Sequence, residues 1–210
     1  MNETEKLLHR NGKSLKNYPS MPYPSSTVLN LSDSPFIIDE LSYNMSELEI
    51  QHAELISRLN TDQKKAYDTI VSAVTADKGG AFFVYGSGGT GKTFLWNTLS
   101  AALRSRSQIM LNVASRGIFA LLFPGRRTAH SHFGIPIDPK DESYFRIQPN
   151  SHLAELIRKT KLIIWDEAPM VNGLCVETLD RSLQDIFWPI NSNSMDTPFG
   201  GKVIVFGGDL

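Results

Sequence analysis

The chain has one cysteine, Cys175, in 210 residues. That excludes an internal disulfide and a multi-cysteine zinc site, and it suits a reducing compartment. No apolar run approaches the roughly 20 residues that span a bilayer. The opening Met1-Asn-Glu-Thr-Glu-Lys6 carries acids and no apolar stretch, which argues against a secretory leader or a mitochondrial presequence. A charge bias is missing too. The net charge is −1, so attraction to any polyanion has to come from local patches. No internal repeat is visible. What is present is 41% hydrophobic and 20% charged residues, enough for one buried core with an extension and too little chain for two full domains.

The chain is organised around Ala81-Phe-Phe-Val-Tyr-Gly-Ser-Gly-Gly-Thr-Gly-Lys-Thr93. Ala81 to Tyr85 reads as a buried strand, and a helix starting near Lys92 carries Phe94, Leu95, Leu99 and Leu103 on one face. The turn between them fits G-x-x-x-x-G-K-[ST], with Gly86, Gly91, Lys92 and Thr93 in the fixed places. Backbone amides of Ser87, Gly88, Gly89 and Thr90 can approach phosphate oxygens because glycine tolerates positive φ and has no Cβ. The helix N-terminus adds the positive end of its dipole. Lys92 is then expected against the β- and γ-phosphates of a nucleoside triphosphate, with the Thr93 hydroxyl on Mg²⁺.

Around this centre, residues 1–45 read as a Pro/Ser/Asn-containing N-terminal extension, with Pro19, Pro22, Pro24 and Pro35 and little apolar periodicity. Ser46 and Glu49 have capping-box spacing before a helix striped by Leu48, Leu55, Ile56 and Leu59. Thr61 is the expected cap of a second helix with Ala66, Ile70, Ala73 and Val74 inward. Gln63, in its first turn, can offer a donor and an acceptor together to an adenine edge. Ile109 to Ala114 reads as a second strand, and Ser115 as the start of a short helix from Ile118 to Phe123. Arg126-Arg-Thr-Ala-His-Ser-His-Phe133 mixes cations, hydroxyls and an aromatic. That suits either a surface tracking single-stranded nucleic acid or an ordinary polar connection.

Helical spacing returns at Leu153, Leu156 and Ile157, and Lys161 to Glu167 is a third buried strand ending in two acids. In a P-loop setting Asp166 is the expected Mg²⁺ partner and Glu167 the group that orients or deprotonates the attacking water. Leu174, Leu179, Leu183 and Ile186 line another helix, ended by Pro189. Asn191 to Gly201 reads as a polar loop. Lys202 to Leu210 is a fourth strand running into Gly207-Gly-Asp209. Strands alternating with helices give an α/β fold, a parallel sheet with helices on both faces. Its ligand is expected at the carboxyl ends of the strands, where the P-loop, Asp166, Glu167 and Asp209 would converge.

From Leu59 onward the chain resembles the first RecA-like domain of PIF-type superfamily-one DNA helicases, especially the Helitron-associated plant forms. Five stretches carry the resemblance in order: Leu59–Gln63, Gly86–Thr93, Val113–Pro136, Leu162–Met170 and Phe199–Asp209. Asn11 to Pro19 also resembles the segment that precedes that domain. The resemblance implies ATP and Mg²⁺ as cofactors and unwinding of duplexes by movement along single-stranded DNA from five-prime to three-prime. It further implies work in DNA repair, recombination or telomere maintenance, in nucleus or mitochondria, with the nucleus taken as the expected location. Gln63 would read adenine, and Thr128, His130 and Phe133 would lie along the DNA strand.

Arg116, Phe119 and Arg126 stand where the family usually has small residues. The family pattern also continues from Gly-Gly-Asp into Phe-Arg-Gln, whereas Leu210 follows Asp209 here. Residues 46–210 are accordingly expected to form an incomplete first RecA-like domain without its second. Such a polypeptide by itself is expected to bind Mg·ATP weakly and not to unwind DNA, because unwinding needs two domains that close on the nucleotide. The alternatives are an inactive transposon-derived remnant, a nucleotide- or DNA-binding module, or another P-loop ATPase such as a loader or a kinase.

Overall fold

The computed structural model describes residues 34–115, 127–128, 147–148 and 151–209. In chain order they form α1 (Pro35–Leu41), α2 (Met45–Ser57), α3 (Thr61–Ala76), β1 (Gly80–Tyr85), α4 (Lys92–Arg104), β2 (Ile109–Ala114), β3 (Arg127–Thr128), α5 (His152–Lys159), β4 (Thr160–Asp166), α6 (Gly173–Phe187) and β5 (Val203–Gly208). The strands make one parallel sheet in the order β1-β5-β4-β2-β3. The expected α/β fold is therefore present, and the four expected strands fall where the apolar runs put them.

Side chains alternate across the sheet, and each face has its own core. Leu162 and Ile164 of β4, Val203 and Val205 of β5 and Met110 of β2 pack against Tyr67, Ile70 and Val74 of α3 and Leu95, Leu99 and Leu103 of α4. On the opposite face Ile163, Trp165, Leu111, Val113 and Ile204 meet Leu156 and Ile157 of α5 and Leu179, Leu183 and Ile186 of α6. Ile37 of α1 is buried in that second core, so this part of the 1–45 segment lies on the sheet domain.

Several local expectations are corrected. The cap of α2 is Asn44, whose side chain accepts from the Glu47 amide, and not Ser46. The cap of α3 is Asn60 and not Thr61. β1 is not fully buried. It is an edge strand that presents Phe82 and Val84 to the α3–α4 core and leaves Phe83 and Tyr85 exposed. The apolar run Ala81–Tyr85 looks like a central strand only because one edge face is also apolar. Asn191–Gly201 contains two 3₁₀ segments, Ser192–Asp196 and Pro198–Gly201, held in part by the Phe199 amide bonding to the Asp180 carboxylate. The helix expected at Ile118–Phe123 lies outside the described residues.

Candidate functional site

The turn between β1 and α4 starts at Gly86, whose amide bonds to the Gly208 carbonyl at the end of β5 at 3.1 Å. Gly89 and Gly91 have φ of 83° and 88°, the left-handed region that side chains other than glycine rarely adopt. Space is also short at Gly91, where a Cβ would collide with Gln63 Nε2, but it is open around Gly88 and Gly89. The loop is therefore closed on its protein side and bare on its outer side. A helix N-terminus stands behind it, with Gly91 as the cap of α4. This is a cradle with room for a polyanion.

Two side chains complete the loop. Lys92 Nζ donates to the Gly86 carbonyl and, at 3.4 Å, to that of Ser87. Gln63 is held at both ends of its amide. Its Oε1 accepts from the Asn60 amide at 3.1 Å, and its Nε2 donates to the Thr90 carbonyl at 3.2 Å. The capping box that starts α3 thus also ties α3 to the loop. A cavity of about 670 Å³ opens here, lined by Asn60, Gln63, Tyr85, Ser87, Thr90 and Lys92 among others. That volume lies within the usual range for ligand sites.

The acids come from β4. Asp166, 5% exposed, is its last residue, and parallel pairing sets it beside Ala114 of β2. A Cβ on Gly207 would lie 3.0 Å from Asp166 Oδ1 and 2.7 Å from Cζ2 of Trp96, one turn into α4. The carboxylate therefore stands on the same sheet face as the helix that follows the loop. Glu167 leaves the strand in a left-handed conformation, with φ 56° and ψ 39°. Burial raises the proton affinity of its carboxyl, Asp166 and Asp209 raise it further, and Lys92 opposes them. The charges of Asp166, Lys92 and Asp209 are thus all felt at Glu167.

The oxygen donors fit magnesium. Thr93 is exposed at the start of α4, and Asp166 Oδ1 flanks Gly207 together with Trp96 of the same helix. Magnesium typically takes one or two protein oxygens and completes its shell with phosphate and water. No cluster of three or more His, Cys, Asp or Glu side chains suited to a metal occurs among the described residues, so a dedicated protein cage is not formed there. Of the stretch Arg126–Phe133 only Arg127 and Thr128 are described. They form β3, with Thr128 paired to Ala114, while His130 and Phe133 lie outside the described residues.

Sequence reasoning missed Trp96, Ser115 and Gly207 as parts of the site. Trp165, directly before the acids, was the available signal for Ser115, since a buried indole N–H needs an acceptor. That acceptor is Ser115 Oγ, at 3.1 Å.

Residues 58–210 match the PIF1-like helicase family. The ATP-dependent DNA helicase RRM3 of Saccharomyces cerevisiae is 31% identical over 171 residues, covering 80% of this chain and 22% of the yeast protein. The crystal structure of Bacteroides sp. Pif1 with ADP-AlF4 aligns with a TM-score of 0.53 at 32% identity, over 69% of this chain and 31% of that one. The Bacteroides Pif1 structure bound to single-stranded DNA gives a TM-score of 0.52 at 30% identity, over 67% and 31%. The chain spans about a fifth of the length of the curated relatives it matches.

Proposed function

Since this chain belongs to the PIF1-like helicase family, we propose that its site binds and hydrolyses ATP as part of a five-prime to three-prime DNA helicase. In this reading residues 46–210 belong to the first RecA-like domain, and residues 1–45 form an extension before it. The observation that carries the reading is the convergence of the glycine loop and the acids at the carboxyl ends of adjacent strands, with Gly86 bonded to Gly208 of β5 and Asp166 of β4 against Gly207.

The division of labour follows from the chemistry of each group. Amides from Ser87 to Gly91 and the α4 N-terminus hold the phosphates, and Lys92 exchanges its loop carbonyls for β- and γ-phosphate oxygens. Gln63, at the cavity wall, reads the adenine edge. Thr93 and Asp166 would hold magnesium, whose chemistry is neutralisation of charge on the phosphate oxygens. Glu167 orients the attacking water and takes its proton, a role favoured by its raised proton affinity. Thr128, His130 and Phe133 contact single-stranded DNA, and the genome-maintenance role and nuclear location follow the family reading.

ATP turnover stimulated by single-stranded DNA, measured for the wild type and Lys92→Ala, tests the proposal. Stimulated turnover that disappears in the variant is the expected result. Nucleotide binding without turnover in the wild type would reduce the site to a binding module, and equal activity of the two proteins would refute it.

A further inference from the structure

Ser115 immediately follows β2, and three groups converge on its hydroxyl. Trp165 Nε1 donates to Oγ at 3.1 Å, and Oγ lies 2.5 Å from the Glu167 carbonyl and 3.2 Å from that of Asp166. A hydroxyl has one proton to give. The indole occupies an acceptor position, so the proton is directed to a carbonyl, and the shorter distance selects Glu167. The Ser115 amide meanwhile bonds to the Asp166 carbonyl at 3.2 Å, which fixes the base of the side chain against the end of β4. Ser115 thus grips the peptide units on both sides of Glu167's α-carbon.

That grip falls where the backbone needs it. Glu167 is a non-glycine residue in the left-handed region, a conformation that persists only when surrounding interactions over-determine it. Its carbonyl has a second donor, the Met170 amide at 3.1 Å, which closes the 3₁₀ turn Ala168–Met170. The turn closes the chain after Glu167, and Ser115 clamps it from the neighbouring strand. With the backbone so held in the left-handed region, Glu167 departs from the β4 alternation at the end of the strand.

We propose that Ser115 is a positioning residue for Glu167, holding the carboxylate at the nucleotide site through a hydrogen bond to its main-chain carbonyl. The proposal rests on the assignment of Glu167 to the attacking water. It adds a connection to the nucleic-acid side of the domain. Ser115 is the residue after Ala114, which pairs with Thr128 of β3. A displacement of the β2–β3 end therefore reaches Glu167 through one side chain.

Two measurements on the full chain test this, with Ser115→Ala and Ser115→Thr beside the wild type. Glu167-Ala168 is the sole Glu-Ala pair in the sequence. Labelling Glu carbonyls with ¹³C and Ala amides with ¹⁵N therefore gives a single carbonyl–amide correlation signal that reports the Glu167 carbonyl directly. The expected result is an upfield move of that carbonyl in Ser115→Ala and its return in Ser115→Thr. In ATP turnover, kcat is expected to fall about tenfold in Ser115→Ala with KM nearly unchanged, and Ser115→Thr to restore it. An unmoved carbonyl signal, or a rise in KM at constant kcat, overturns the positioning role. If the wild type does not turn over ATP, the hydrolysis reading fails by itself, and the carbonyl signal still decides whether Ser115 holds Glu167. Urea midpoints of the variants close to that of the wild type separate this role from general destabilisation.

Discussion

Single residues at this site differ sharply in how much change they allow. Gly207 has Trp96 and Asp166 against it, so Gly207→Ala forces a methyl into two buried groups. The expected cost is about 1–3 kcal/mol, typical of overpacking, seen as a lower urea midpoint together with weaker nucleotide binding as Asp166 is pushed aside. Gly88 has open space where a Cβ would stand and no positive φ, so Gly88→Ala should leave the midpoint nearly unchanged. Glu167→Gln keeps the size of the side chain and removes the base. Turnover is expected to fall roughly 10²–10⁴-fold while binding of a fluorescent ADP analogue persists. Unimpaired turnover in that variant would remove Glu167 from the chemistry. The P-loop and the two acids were legible in the sequence because their chemistry fixes both residue type and spacing. Ser115 and Trp96 were not, since a serine after a strand and a tryptophan in a helix each have ordinary uses that only the register of β2, β4 and β5 can exclude.

At the scale of elements, caps were the least legible feature. Ser46 and Thr61 lost to Asn44 and Asn60 because several polar residues near each helix start could cap it, and the preceding backbone path decides which one does. The docking of α1 shows a related limit. Seven residues with one deeply buried apolar side chain, Ile37, leave little periodicity to detect. Polar contacts secure the segment beside Ile37. Arg104 of α4, with its side chain 7% exposed, pairs with Glu40 at 3.1 Å, bonds to Ser100 and lies 4.3 Å from the centroid of the Tyr43 ring. Breaking such a pair from one side strands a buried cation. Glu40 keeps some water, at 15% exposure, so Glu40→Ala is expected to cost roughly 2 kcal/mol, below the range for a sealed pair. Urea unfolding measures it, and a midpoint equal to wild type would mean that this ion pair contributes nothing to stability.

For the molecule as a whole, the sequence indicated a parallel sheet but not its order. Edge and centre are decided by which helices cover which strands, and a run such as Ala81–Tyr85 reads the same in either place. Stability as a function of pH is also a whole-molecule property, and Lys202 gives it a slope. Its ammonium sits at the start of β5, donates to the Arg158 and Thr160 carbonyls at 3.0 and 2.7 Å, and lies 4.7 Å from the centroid of the Phe187 ring. Burial lowers its pKa from 10.5 to about 8; repulsion from Lys161 adds to this and Asp77 opposes it. Below about 8 both folded and unfolded chains carry the proton, and the desolvation cost is present in full. Between about 8 and 10.5 the unfolded chain holds a proton that the folded chain has released, so this residue's contribution rises with pH. Urea midpoints taken near pH 7.5 and near 9.5 should therefore move in favour of the wild type relative to Lys202→Met. Parallel behaviour of the two proteins would contradict the assignment.

Two side chains at the loop already have partners within the protein. Lys92 rests on the carbonyls of Gly86 and Ser87, and Gln63 on that of Thr90. In the proposed reading, capture of a triphosphate is for these two side chains partly an exchange of partners. A contact made with the protons that Lys92 and Gln63 now give to loop carbonyls replaces a hydrogen bond within the protein, while their remaining donors can add to it. Affinity then includes the cost of releasing those carbonyls, and shortening either tether (Gln63→Ala, for instance) removes that cost together with the contact.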